Sequence, residues 1–235
     1  MAIERKEREP ITGISSMAMR QVLSDLGGAW RLKSGEPMAL ECVGGVDALR
    51  RVQAGEAFDF VVLAADAIAQ LGASGRVVAA RRTAGARAAI AIAVAAGAPH
   101  PDIASESAVR GAVINARKIG YSTGPSGTYL ARLFERWGIA ETIAPRLVQA
   151  PPGVPVGTLL ARGDVELGFQ QLSELMDVPG VDVIGPLPSD VQAVTTFSGA
   201  ICATSKRPDA ARAFLSFLAS PAADAAKRRR GMEPA

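Results

Sequence analysis

Short apolar runs alternate with amphipathic stretches from residue 11 almost to the end of the chain, and this alternation constrains the fold more than any other feature. Uninterrupted apolar runs of roughly four to eight residues suit strands covered on both faces, and longer stretches with apolar residues three or four apart suit helices. Strand and helix in regular succession give an α/β fold, a mostly parallel sheet with flanking helices. The first series reads as strand 11–15, helix 17–26, strand 38–43, helix 46–54 stopped by Gly55, strand 58–63, helix 65–71 and a short strand 76–79. The second reads as strand 88–95, helix 105–116, strand 118–122, helix 127–137, strand 146–150, helix 154–161 and strands 165–170 and 181–184. A long apolar strand, 194–203, and helices 208–218 and 222–229 finish the chain.

The apolar runs 88–95 and 194–203 each fall where one series ends, so they read as crossovers between two lobes. Lobe 1 then holds residues 1–87 and 195–235, lobe 2 is the insertion 88–194, and a ligand cleft lies between them. No internal repeat or low-complexity linker interrupts this plan.

Composition narrows the function classes. A chain of 235 residues, 49% hydrophobic and 21% charged, can bury a full core. The net charge of +3 owes much to the run Lys227, Arg228, Arg229 and Arg230. That run reads as a solvated helix end; without interleaved aromatics it does not point to nucleic acid. No apolar run is long enough to enter a membrane as a span. Residues 1–10 are rich in charge and lack an apolar signal core, so the chain as written reads as cytoplasmic, or as periplasmic if it is a processed form. Cys42 and Cys202 read as buried reduced thiols, with a single disulfide between them left open. The lone histidine, His100, sits in a Pro-flanked loop, and neither a metal cluster nor a Ser/His/Asp set is evident. No cofactor is implied.

In parallel α/β sheets ligands bind beyond the carboxyl ends of the strands. The loops there are Ser15-Ser16, Gly44-Gly45-Val46, Ala64-Ala65-Asp66, Ser122 to Thr128, Pro151 to Val154, and Gln170-Gln171. They are small, hydroxylated or Gly-rich, and most open a predicted helix. Helix N-termini offer free N–H groups and a positive dipole end, so several of them converging bind an anion without Lys or Arg. The candidate ligand-binding residues are Ser15, Ser16, Gly45, Val46, Ala65, Ser122, Thr123, Ser126, Gly127, Thr128, Gly153, Val154, Gln170 and Gln171. Ser15, Ser16 and Ser126 read equally well as simple caps. No catalytic base stands out; Asp66 and Tyr121 are weak candidates.

Several segments also carry a family resemblance over nearly the whole length. They are Gly45-Val46-Asp47-Ala48-Leu49 with Gly55 to Leu63, Gly97 to Ile103, and Lys118 to Ser122 running into Ser126 to Leu130. Ala161 to Gly168, Ser173-Glu174-Leu175 and Gly185 to Pro188 continue the series. In this order and spacing the chain resembles the molybdate-binding-protein-like branch of type II periplasmic solute-binding proteins, which also includes aconitate isomerases. The resemblance implies a two-lobed fold with two crossover strands and one small anionic ligand, a carboxylate or oxyanion, held between the lobes. It implies a solute-binding or sensor protein, with a transporter permease as partner only if the chain is exported. The alternatives it implies are a cofactor-independent isomerase of an unsaturated di- or tricarboxylate, and a molybdate or tungstate binder. Molybdate binders of the branch carry a tyrosine near the position of Gln170-Gln171, where this chain departs from them.

Overall fold

The computed structural model describes residues 9–78 and 83–235. Strand β1 (Ile11–Ser16), a 3-10 turn over Met17–Met19 and helix α1 (Arg20–Ser34) open the fold. Then come β2 (Met38–Val43), α2 (Gly45–Gln53), β3 (Phe60–Ala64) and α3 (Ala65–Ala73). Strand β4 (Thr83–Ala95) leads to α4 (Glu106–Asn115), β5 (Ile119–Tyr121), α5 (Pro125–Arg136), α6 (Ala140–Ile143) and β6 (Leu147–Gln149). Helix α7 (Val156–Ala161), β7 (Leu167–Gln171), α8 (Leu172–Leu175) and β8 (Val181–Pro186) follow. Strand β9 (Val194–Ile201), α9 (Pro208–Leu218), α10 (Asp224–Arg229) and β10 (Glu233–Pro234) end the chain.

The strands lie in the order β2-β1-β3-β9-β4-β7-β5-β6, with β8 and β10 also pairing with β4. β1 is parallel to β2 and β3, and β5 is parallel to β6 and β7. β4 and β9 are the antiparallel members. The 13 residues of β4 serve two sheet regions, pairing with β9 over Thr83 to Ala89 and with β7 and β8 beyond Ile90. The parallel α/β fold expected from alternation is present, with these two strands joining its halves.

Each half has its own core. In the first, Trp30 of α1 meets Phe214 and Phe217 of α9 at ring distances of 5.8 and 5.7 Å, and Phe214 meets Phe60 at 5.0 Å. In the second, Phe134 meets Phe169 edge-on at 6.3 Å among Ile90, Ile92, Leu130 and Leu133. At the base of the first half, the buried Asp59 carboxylate accepts five hydrogen bonds: from Thr12 N–H and Oγ1, Ser205 Oγ, and the N–H groups of Lys206 and Arg207. Among the described residues no helix is long and apolar enough to cross a membrane.

Four readings of the sequence need correction. Helix α1 runs past Gly27-Gly28 to Ser34, because Trp30 continues the buried face of Val22, Leu23 and Leu26. Gly35, in the left-handed region at φ 70°, ends it by donating to Arg31 O at 2.9 Å. The expected strand 76–79 amounts to one bridge between Val77 and Cys202, and Ala79 lies outside the described residues, as do residues 1–8 of the amino-terminal segment. The basic run is not uniformly solvated: Lys227 is buried beside Asp224 at 3.2 Å, and Arg230 joins Asp25 and Asp177, both at 2.9 Å. Both cysteines are free thiols, and Cys42 is only half-buried. Burial pushes the Cys42 thiol up to about 11 and the Cys202 thiol up to about 12.

Candidate functional site

The carboxyl ends of β1, β2, β5 and β7 meet around one small cavity of about 50 Å³. Ser16, Gly44 and Gly45 line it from the first half, and Ser122, Thr123, Ser126, Gly153, Val154, Gln170, Gln171 and Glu174 from the second. Phe197 of β9 forms part of its wall. α2 starts at Gly45 behind Gly44, and α5 at Pro125 behind Gly124, and neither start is capped by a side chain. The N–H groups of the first turn of α2, and of α5 from Ser126 on because Pro125 has none, together with the dipoles behind them, therefore remain for a guest.

The hydroxyls divide into two kinds. Ser16 Oγ is buried and makes no hydrogen bond. A buried hydroxyl without a partner carries a desolvation cost that an anionic acceptor would remove. Ser122 Oγ and Ser126 Oγ bond each other at 2.9 Å, and Gly124 N–H approaches Ser122 Oγ at 3.3 Å, which shapes the loop. Gly127 is required here, since a Cβ on it would lie 1.7 Å from the Ser122 carbonyl oxygen.

Gln170 is a brace. Its Oε1 accepts from Val156 N–H at 2.7 Å, fixing the start of α7, and its Nε2 donates to Glu174 Oε1 at 2.8 Å. The Gln171 amide donates to the carbonyls of Ala88 and Ala89 and accepts from Thr195 Oγ1 at 2.8 Å, tying β7 to the antiparallel pair. Glu174, on the single turn α8, brings a carboxyl to a cavity otherwise lined by neutral groups. Part of its surface opens to the cavity, yet protein surrounds it closely enough that burial pushes its carboxyl up to about 7, with the Gln170 amide pulling weakly the other way.

The cavity continues into a wider chamber of about 620 Å³ that shares Ser16, Gly45, Thr123, Gly124, Pro125 and Phe197 with it. Val46, Ala65 and Asp66 line this outer chamber from the first half; Thr128, Tyr129 and Arg132 line it from α5.

The sequence candidates thus fall into three groups. Ser16, Gly45, Ser122, Thr123, Ser126, Gly153, Val154, Gln170 and Gln171 converge on the inner cavity. Val46, Ala65, Thr128 and Asp66 stand on the outer chamber instead. Three others line neither. Ser15 points into the sheet and donates to Val62 O at 2.8 Å, because adjacent strand residues face opposite ways. Gly127 packs under the loop, and Tyr121 lies half-buried against the second core. Sequence reasoning missed Glu174 as a chemical group. The available signal was its position four residues after Gln170, which the short α8 turns into a hydrogen bond. Among the described residues no group of three or more His, Cys, Asp or Glu could hold a metal. His100 lies apart from the cleft, 3.6 Å from Asp182.

Comparison with known proteins places this geometry. The family model described as bacterial extracellular solute-binding protein matches residues 11–233. An aconitate isomerase from a Pseudomonas species is 40% identical over 185 residues, 78% of this chain and 70% of that protein. The periplasmic molybdate-binding protein of Azotobacter vinelandii superposes with a TM-score of 0.79 at 16% identity, over 94% of this chain and 98% of the other. The sulfate-binding protein of Mycobacterium tuberculosis H37Rv gives 0.76 at 17% identity, over 97% of this chain and 87% of the other.

Proposed function

Because the chain belongs to the bacterial extracellular solute-binding protein family, we propose that its halves, 1–87 with 195–235 and 88–194, are lobes closing over a short unsaturated polycarboxylate. On this reading the protein is a cofactor-independent isomerase of the aconitate class. The observation that carries it is Glu174: a carboxyl beside an anion cradle, poised by burial to accept a proton near neutral pH. The 40% identical aconitate isomerase supports it. Molybdate offers this carboxyl no C–H proton to move, whereas an unsaturated polycarboxylate does.

The chemistry is a proton shift across an allyl unit. Ionised Glu174 takes a proton from the saturated carbon beside the double bond, and the C–H electron pair enters the conjugated system. The negative charge spreads onto the attached carboxylate, whose oxygens lie against the N–H groups at the starts of α2 and α5. Glu174 then returns the proton to the far allylic carbon, which moves the double bond and leaves the atom count unchanged. Gln170 holds Glu174 in place throughout. Ser16 Oγ supplies a donor with no competing protein partner.

Proton NMR of cis-aconitate mixed with the protein tests this directly. The olefinic resonance of trans-aconitate should grow with protein concentration. Unchanged spectra from a protein whose melting temperature aconitate raises would make the cleft a binding site without turnover, and a transporter permease would then become the expected partner.

A further inference from the structure

The inner cavity opens into the outer chamber across a shared wall of Ser16, Gly45, Thr123, Gly124, Pro125 and Phe197, so a guest longer than the cradle extends into that chamber. One wall of that chamber is a helical stripe, Pro125, Thr128 and Arg132, with spacings of three and four that keep them on one face of α5. Arg132 is exposed and has no carboxylate partner among the described residues, while Arg136, one turn further on, pairs with Glu106 at 3.7 Å. Arg132 stands roughly 10 Å along the helix axis from Pro125. In a helix the Cα–Cβ bond leans toward the N-terminus, so the Arg132 side chain starts out toward the cradle end of α5.

We propose that the outer chamber is a second carboxylate subsite, in which Arg132 holds a carboxylate remote from the one in the inner cavity. The cleft thereby selects polycarboxylates over monocarboxylates. This rests on reading the cradle as an organic-anion site and adds how the guest's second charge is recognised. A guanidinium fork matches a carboxylate in two parallel hydrogen bonds. Ser16, whose buried hydroxyl has no protein partner, stands on the wall common to both chambers and so lies between the two subsites. Asp66 faces the chamber from the first turn of α3 and opposes a carboxylate there. The alternative is that Arg132 and Asp66 attract each other across the mouth and latch it shut.

Isothermal titration with two unreactive probes, tricarballylate and butyrate, separates these readings. The wild type should bind tricarballylate at least about tenfold more tightly than butyrate. R132Q should weaken tricarballylate by about 10- to 100-fold and butyrate by no more than about twofold, and R132K should recover part of the loss. D66N should tighten tricarballylate. Equal losses for both probes in R132Q, no loss in R132Q, or a loss in D66N matching that in R132Q would overturn the subsite. Wild-type protein that binds neither probe would sink the anion cradle itself.

Discussion

Two enclosed carboxyls, Asp59 just before β3 and Glu174 just after β7, have been treated in opposite ways. Burial raises the affinity of Asp59 for a proton, but five donors more than offset it, and its carboxyl sits below the usual 3.8. Burial raises Glu174 as well, and there the single Gln170 amide leaves it at about 7. Asp59 ties the start of β1 to the segment after β9, so its charge is spent on structure. Glu174 sits where uncapped helix starts and an unpartnered Ser16 hydroxyl also gather. The contrast teaches that burial alone does not mark a functional carboxyl. Unsatisfied hydrogen-bonding capacity in a cavity does.

The comparison breaks most visibly in turnover. E174Q should lower the isomerisation rate by about 1000-fold, as removal of a general base does, while the variant still binds tricarballylate; NMR rates and titration together check this. D59N should do the reverse, costing about 3 kcal/mol in urea unfolding because buried donors lose their anionic acceptor, with the Michaelis constant of the folded protein little changed. The pH dependence sharpens the contrast. The Asp59 contribution is present above the ordinary carboxylate range and is lost as pH falls through its lowered value. For Glu174 the sign is opposite: the folded protein holds the proton more tightly, so stability is full below 4.5 and declines as pH rises through about 7. E174Q should therefore be more stable than wild type by on the order of 2 kcal/mol at pH 8, and equal to it at pH 4. The smallest effect belongs to S16A. It should weaken tricarballylate binding by up to about tenfold and slightly raise the melting temperature of the free protein, since Ser16 Oγ is buried without a partner and its removal relieves a desolvation cost.

Much of this arrangement was legible in the residues. Apolar runs such as Val61-Val62-Leu63 located the buried strands, and the Gly- and Ser-rich turns after them located the inner cavity. Ser15 and Ser16 show where that reading stops. As neighbours in one loop they look alike, and only the pleat decides that Ser15 bonds Val62 while Ser16 faces the cavity. Val46, Ala65 and Thr128 belong to the first turns of α2, α3 and α5, whose position in the folded chain, on the outer chamber, depends on contacts the local sequence does not encode. Glu174 escaped because its meaning depends on burial, and burial depends on how α8 packs against β4 and the 3-10 turn Met17–Met19 from distant parts of the chain. A lone Glu on a four-residue helix carries no periodic signal.

The carbon-13 resonance of the Glu174 side-chain carboxyl, assigned by its loss in E174Q and followed across pH, tests the account at its centre. A midpoint near 7 that moves when tricarballylate binds is the predicted result. A midpoint at the ordinary 4.5, unaffected by ligand, would contradict it.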